Sequence, residues 1–483
     1  MILRRLGVGV LCTASAQAQA HGFGQRYDLP LPLSLYLCGA ALTVLVSCLM
    51  LVWLVRDAPK DRSYPSLDLL AHGPTRWLAS PPMVAAIRLA AVALYLLLLA
   101  AGFFGNQSPF RNVVPIAIWA IWWVGTAYFS ALIGDLWRVA NPLETLFAAA
   151  ERAYFRMRGG KPLSLGLAAP PWLAAWPAVA LYLVFLWMEL AWDGSDSPVR
   201  IAASIVAYSA LTWAGMWLFG REAWLEHGEV FTRVFGVFAR FAPMGVRLRD
   251  RRVAQWELRP YALGLLNREP VHASEIMLVV AILAAVSFDG FLETPAWAYL
   301  VEVLSNGGEP SEGLRTAGLV AAPLLFLAVY LVFCHLIALS GRSRGDRFDS
   351  HRLTLRIAGL FVLTLVPIAI AYHIAHYLSF LVFAGQYMIA LVSDPFGWGW
   401  NLFGTVNHFV RPGIVDARLV WIVAVVAIVA GHVAALYLGH LLSMREFADR
   451  RAAARSQWPM LVLMVSYTML SLWIIAQPIV TSR

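Results

Sequence analysis

The sequence predicts an all-α protein, a polytopic bundle of about ten transmembrane helices after a cleaved signal peptide. Three observations support this fold class. Of the 483 residues, 60% are hydrophobic and the mean hydropathy is +0.68. Only 13% are charged, which is about half the share found in a soluble domain. Apolar segments long enough to cross a bilayer recur along the chain, at residues 31–55, 83–104, 113–133, 171–192, 199–219, 274–294, 315–340, 354–392, 417–440 and 459–479.

The first 20 residues have the pattern of a secretory signal peptide. Two arginines precede a short apolar run at 6–14, and three overlapping A-x-A sites follow, the last ending at Ala20. The apolar run is shorter than the roughly 20 residues that cross a membrane. We therefore expect a signal peptide at 1–20 and an integral membrane helical domain at 21–483. Cleavage after Ala20 makes His21 the first residue of the mature chain, and cleavage at either earlier site fits the same rule.

The basic residues predict the orientation of the chain. Alternate loops carry 26 of the 37 Lys and Arg residues, and the segments on the other side carry seven. Because cytoplasmic loops are rich in Lys and Arg, the mature amino terminus is predicted to be periplasmic, in a bacterial inner membrane. The net charge of +9 then reflects membrane topology, and no nucleic-acid partner is expected. The predicted inside loops are 56–82, 134–170, 220–273, 341–353 and 441–458.

Two segments depart from simple membrane crossings. The eighth apolar segment is too long for one crossing and contains Pro367, which predicts a kinked helix that continues into a surface or re-entrant stretch. The longest inside loop, "REAWLEHGEVFTRVFGVFARFAPMG", has apolar residues at helical spacing with arginines on the other side. This pattern predicts an amphipathic helix on the inner membrane surface.

Ionisable side chains in the predicted spans concentrate near the outer side. A charge at mid-bilayer costs about 3 kcal/mol, so such residues mark sites or pathways. Glu189 and Asp289 lie near the outer ends of the fourth and sixth spans. His373 and His376 are spaced i, i+3 in the eighth span, on one side of a helix. With His21, they predict a cluster open to the periplasm, in which Asp289 and Glu189 are the candidate catalytic residues.

Imidazole and carboxylate groups together suit a divalent metal ion. We expect zinc or copper at His373, His376, Asp289 and Glu189, with a metal-activated water that hydrolyses a substrate. His21 would add its ring and its amine as ligands, a combination that favours copper. Two plainer interpretations stay open: carboxylates at span ends can simply meet water, and a histidine pair can bond neighbouring helices or serve a proton path.

Several stretches resemble bacterial membrane proteins known as fenitrothion hydrolases. These are "AHGFGQRYDLPLP", "SALIGDLWRVANPLETL", "SFDGFLETPAW" and "AHYLSF…GQYMIALVSDPFGWGWNLFG", which extend from near the amino terminus to about residue 404. The resemblance implies hydrolysis of organophosphate triesters with release of a nitrophenol, and a second membrane subunit as a partner. It supplies no catalytic motif that can be transferred to individual residues.

The sequence therefore supports two main hypotheses. The first is a hydrolase embedded in the lipid bilayer, which receives a small apolar organophosphate substrate from the membrane at a periplasm-facing site. The second is a transporter or a metal-handling, copper-binding membrane subunit that uses the same residues. A transporter is expected to place polar groups at mid-membrane within matched halves. A third hypothesis, an oxidase subunit with copper at His21, depends on the cleavage position.

Overall fold

The computed structural model describes residues 27–55, 64–266, 269–305, 310–341, 350–414, 416–447 and 449–481. His21 and the predicted signal peptide lie outside these residues. Within the described residues, nine helices are long and apolar enough to cross a membrane. The predicted fold class, an all-α polytopic membrane bundle, is confirmed.

The first half of the chain forms helices α1 to α9. Between α4 and α5 the helix continues as nine residues of π-helix, Ala117–Gly125. The bounds are α1 (Leu33–Leu54), α2 (Gly73–Leu78), α3 (Pro81–Phe104), α4 (Val113–Ile116), α5 (Thr126–Leu132), α6 (Trp137–Ala140), α7 (Pro142–Met157), α8 (Trp176–Leu190) and α9 (Pro198–Phe219).

The second half forms helices α10 to α18. A 3₁₀ turn, Val362–Leu365, connects α15 to α16. The bounds are α10 (Arg221–His227), α11 (Val230–Ala239), α12 (Ala273–Leu292), α13 (Pro295–Leu304), α14 (Glu312–Ser340), α15 (Ser350–Phe361), α16 (Val366–Leu391), α17 (Ala417–Glu446) and α18 (Arg450–Ile479).

Five short strands mark the two ends of the bundle. β1 (Tyr27–Asp28) pairs in parallel with β5 (Val480–Thr481), which follows α18. β2 (Leu67–Asp68), β3 (Met244–Arg249) and β4 (Arg252–Leu258) form an antiparallel sheet in the order β2-β4-β3. We call these the β1–β5 end and the hairpin end. The sequence pattern did not predict either sheet.

All ten predicted spans coincide with helices, but the fourth is short. Its helix, α8, has 15 residues and is therefore about 22 Å long, less than the roughly 30 Å of the hydrocarbon core. It packs against α12 and α14. The two central helices are α12 and the helix that includes α16, each with 78% of its most apolar window buried, whereas α1 and α3 are at the periphery with 17%.

The kink predicted in the eighth span lies just before Pro367. The 3₁₀ turn at Val362–Leu365 interrupts the helix there, because the proline has no N–H to continue the α-helical ladder. The extra length precedes the turn, as α15. The 26 residues of α16 reach about 39 Å and can cross a membrane alone.

The amphipathic helix predicted on the membrane surface is instead inside the bundle, so that prediction was wrong. The stretch splits into α10 and α11, and seven of the ten residues of α11 are buried. Phe235 and Val234 are fully buried in the main core. Arg233 on α11 and Arg240 just after it both contact Glu275, at the start of α12, with N–O distances of 2.9 Å, so one carboxylate offsets part of their charge.

A buried glutamate holds the start of α11 in place. The Glu229 carboxylate accepts hydrogen bonds from the backbone N–H groups of Phe231, at 3.4 Å, and Thr232, at 2.7 Å. The Trp137 indole also donates to it at 3.1 Å, and the Tyr208 hydroxyl donates as well. These bonds satisfy helix-terminal donors that would otherwise be buried without partners, and they tie α11 to α6 and α9.

The burial of α11 is testable by replacing Phe235 with alanine. Removing a fully buried phenyl ring leaves a cavity, so we expect the free energy of unfolding to fall by about 3–5 kcal/mol. The measurement is reversible unfolding of the purified protein in detergent. Phe155→Ala is the matched control, because Phe155 on α7 is 54% exposed. Equal effects of the two substitutions would contradict the buried position of α11.

Candidate functional site

Two of the predicted site residues, 87 positions apart in sequence, meet between α12 and α16. His376 Nε2 lies 2.9 Å from Asp289 Oδ2, and the Tyr377 hydroxyl donates to the same oxygen at 2.5 Å. The His376 side chain is 2% exposed, but that of Asp289 is 17% exposed. Since Asp289 is one turn from the end of α12, this hydrogen-bonded group reaches the surface of the bundle.

A glycine beside Asp289 allows the central helices to approach. A Cβ added at Gly290 would lie 2.8 Å from the Tyr372 hydroxyl oxygen and 2.8 Å from Ile474 Cγ2. Both distances are too short for a real side chain, so any other residue would push α12 away from α16 and α18. Ile474 also places the site at the β1–β5 end, because α18 leads into β5.

His373 faces a different set of neighbours from His376. Its ring packs against the rings of Trp123, Tyr128 and Phe238, with centroid distances of 5.8, 6.3 and 5.7 Å. Nδ1 of His373 is buried and has no hydrogen-bond partner among the described residues. The i, i+3 spacing therefore does not bring the two imidazoles to one point.

His373 and Glu189 share a small enclosed cavity. The cavity has about 10 Å³ of space for the centre of a water molecule, and Trp123, Tyr182 and Tyr377 also line it. This is about the minimum that one water molecule requires. Tyr377 belongs to both halves of the site, since it lines the cavity and bonds Asp289. The Glu189 and Asp289 carboxyl groups are close enough to repel each other electrostatically. We call these five residues, Glu189, Asp289, His373, His376 and Tyr377, the outer cluster.

The described members of the outer cluster do not fit a metal centre by themselves. No group of three or more His, Cys, Asp or Glu side chains with suitable spacing occurs within the described ranges. The 2.9 Å contact between His376 and Asp289 is also shorter than the roughly 3.4 Å that separates two ligands of a tetrahedral zinc ion. The predicted ligand His21 lies outside the described residues.

The neighbouring carboxylates take separate roles. Asp193, four residues after Glu189, forms an ion pair with Arg315 and is 69% exposed. Glu293, four residues after Asp289, lies just past the end of α12. Burial first, and then the nearby Asp289, raise the pKa of the Glu293 carboxyl, while His376 opposes this shift. Glu293 therefore belongs to the electrostatic surroundings of the outer cluster, and Asp193 does not.

Three aromatic residues of this site were not predicted from the sequence. Tyr377 directly follows His376 in the sequence, so its position beside a candidate histidine could have identified it. Trp123 could not be found from periodicity, because it lies in the π-helix, where the 3.6-residue repeat fails. Tyr182 lies in α8 within an apolar segment, and no sequence pattern distinguishes it. π-helical turns occur frequently at functional sites.

A much larger groove between α1 and α17 does not contain these groups. It has a volume of about 860 Å³ and an almost wholly apolar lining that includes Leu35, Val425 and Tyr437. It has no carboxylate, imidazole or thiol, so only tyrosine hydroxyls could take part in acid–base chemistry there. The outer cluster is therefore the better candidate for a reactive site.

The fold and the site together define a polytopic α-helical membrane protein with a buried histidine–carboxylate cluster at one end of its bundle. In comparisons with known proteins, no family model matches this chain, and neither a curated protein nor a solved structure matches it.

The contribution of Tyr377 can be measured with Tyr377→Phe. The variant removes one hydrogen bond to the buried Asp289 carboxyl, so we expect the free energy of unfolding to fall by about 1.5–3 kcal/mol. Unfolding in detergent is the measurement, with Tyr437→Phe as the control because Tyr437 is 43% exposed on α17. If both variants keep the stability of the parent protein, the Tyr377–Asp289 bond is not formed in solution.

Proposed function

We propose that this protein is a membrane-embedded hydrolase of apolar organophosphate triesters, with the outer cluster as its active site at the periplasmic side of a bacterial inner membrane. The observation that carries the proposal is the hydrogen bond between His376 and Asp289, at the bundle end where Asp289 is partly exposed. The resemblance to fenitrothion hydrolases supplies the substrate class. The low number of basic residues in the segments on this side supports its periplasmic position.

In the proposed mechanism, the pair acts as a general base. The Asp289 carboxylate, which is the partly exposed member of the pair, accepts the proton, because the His376 ring is buried. A water molecule loses that proton as its oxygen bonds to phosphorus, and the bond from phosphorus to the aryloxide leaving group breaks. His376 Nε2 and the Tyr377 hydroxyl hold the Asp289 carboxylate in position. Such proton transfer contributes about 10²- to 10⁴-fold to a rate.

The surface of the bundle suits an apolar substrate. Large apolar side chains are exposed along the outward-facing helices, as in α1, α3 and α14, where they contact lipid. An organophosphate triester partitions into lipid and would reach Asp289 from the side. A second membrane subunit, implied by the same resemblance, is part of this proposal.

The test is hydrolysis of paraoxon by the purified protein in lipid nanodiscs. We expect Asp289→Asn and His376→Gln to lose at least about 100-fold in rate, because each removes half of the general-base pair. His335→Gln is the matched control, since His335 is exposed and its Nδ1 contacts Thr354. Unchanged hydrolysis in both site variants would overturn the mechanism. Metal analysis of the same preparations, with His376→Ala alongside, tests the separate prediction of bound zinc or copper.

A second candidate function, proton or ion passage, is favoured by polar groups deeper in the bundle. Ser287, two residues before Asp289, has its hydroxyl oxygen 2.5 Å from the Tyr467 hydroxyl oxygen. The Tyr467 ring packs on the buried ring of His432, with centroids 5.7 Å apart. His432 lies near the middle of α17. These contacts place polar groups between the bundle end that holds the outer cluster and mid-membrane, as a proton path requires.

Proteoliposomes with a trapped pH dye separate the two functions. If the second is correct, we expect protein-dependent proton entry that His432→Phe reduces by at least about tenfold, because this variant removes the titratable group at mid-membrane. His335→Gln should keep the flux. Absence of any protein-dependent flux would reject passage and leave hydrolysis as the function of the outer cluster.

A further inference from the structure

A second concentration of charge lies at the hairpin end, far from the outer cluster. Arginines of three other elements converge near Glu144 on α7, and Arg152 lies further along the same helix. Arg221 Nη1 lies 2.9 Å and Arg251 Nη1 lies 2.7 Å from Glu144 Oε1. Arg88 is near enough to interact electrostatically with both of these arginines, and Arg152 with Arg88 and Arg251. We call Arg88, Arg152, Arg221 and Arg251 the arginine cluster.

The chain topology brings these residues together with precision. Arg88 is on α3, Arg152 on α7, Arg221 begins α10, and Arg251 is in the turn between β3 and β4. Asp250 and Arg251 in that turn both have positive φ angles, of 50° and 63°, as in the tight hairpin turns that match strand twist. Arg251 Nη1 additionally donates to the Glu144 backbone oxygen at 3.2 Å.

The arginine cluster has more positive than negative charge. Besides Glu144, the nearby acidic partner is Glu151, whose Oε2 lies 3.4 Å from Arg221 Nε. Within the described residues, the ion pairs formed by these four arginines involve two carboxylates, Glu144 and Glu151. The side chains of Arg221 and Arg251 are only 17% and 20% exposed. Burial lowers the pKa of Arg251 to about 10, and the other three arginines add to this shift while Glu144 opposes it. An additional anion would relieve the repulsion.

An unpaired hydrogen-bond donor of Arg88 is further support for such an anion. The residue is 8% exposed, and its Nε donates to the Val139 backbone oxygen at 3.2 Å. Its Nη2 is buried and has no hydrogen-bond partner among the described residues. Leaving a buried donor unpaired costs about 1–3 kcal/mol, and more for a charged group. Guanidinium groups bind phosphate oxygens in paired, charge-assisted hydrogen bonds.

We propose that the arginine cluster binds a phosphate group, that of an anionic phospholipid at the membrane surface. Exposed apolar side chains on the helix of Arg152 support the lipid as the source. Phe155 and Met157 on α7 are 54% and 75% exposed, as in helices that lie at the headgroup level. The site lies at the opposite end from the outer cluster and does not depend on the proposed hydrolase function.

The experiment measures lipid binding to the full-length protein in detergent by native mass spectrometry. We expect phosphatidylglycerol to bind at least about tenfold more tightly than phosphatidylcholine, since a tenfold ratio corresponds to about 1.4 kcal/mol, the scale of one charge-assisted bond. Arg88→Gln should abolish this preference. Arg249→Gln, an exposed position on the same hairpin, is the matched control and should retain it.

The remaining arms separate the possible sources of the phosphate. Inorganic phosphate at millimolar concentration should not displace phosphatidylglycerol; if it does so and stabilises the protein alone, the ligand is a free phosphate and the lipid proposal fails. Equal losses in Arg88→Gln and Arg249→Gln would show nonspecific attraction to a basic surface and overturn the site. Should Arg88→Gln not fold, Arg251→Gln, in a surface turn, gives the same comparison.

Discussion

The arrangement of this bundle depends on the hydrogen bonds that the buried Glu229 carboxylate accepts. A helix that starts inside protein leaves its first N–H groups without water as a partner. Glu229 accepts bonds from those of Phe231 and Thr232, and also from side chains of α6 and α9. With its start satisfied, α11 can remain buried and place Phe238 against the ring of His373. The position of that imidazole in the outer cluster thus follows from a carboxylate near the hairpin end.

Hydropathy was sufficient to predict the nine membrane-length helices, because the thickness of the bilayer fixes the length of an apolar helix. The same physics did not predict the position of α11. Its 3.6-residue pattern identifies an apolar face, but membrane surface and neighbouring helices cover such a face equally well. The histidine pair shows a similar limit. Three residues advance a helix by about 300°, so His373 and His376 point roughly 60° apart. In a crowded core, this difference gives them separate neighbours. His373 shares a cavity with Glu189, and His376 contacts Asp289.

The two ends of the bundle have opposite electrostatic character. Carboxylates and imidazoles lie together in the outer cluster, where Asp289 is partly exposed at the surface. Guanidinium groups lie around Glu144 at the other end. The sequence indicated the first group, since isolated charges in apolar segments are conspicuous. It did not indicate the arginine cluster, because Arg88 and Arg251 are 163 positions apart in the chain. Only the folded hairpin brings Arg251 near Arg88.

The π-helical stretch at Ala117–Gly125 changes how this part of the chain must be aligned with any other helix. Each of its residues turns the backbone by less than the 100° of an α-helix, so the angular offset accumulates across the stretch. Tyr128 therefore faces α16, where its hydroxyl donates to the His373 and Ile374 carbonyl oxygens. A helical wheel drawn from Val113 would place Tyr128 on the wrong side of the helix. Projection diagrams for this span have to be drawn in two halves, with a fresh origin after Gly125.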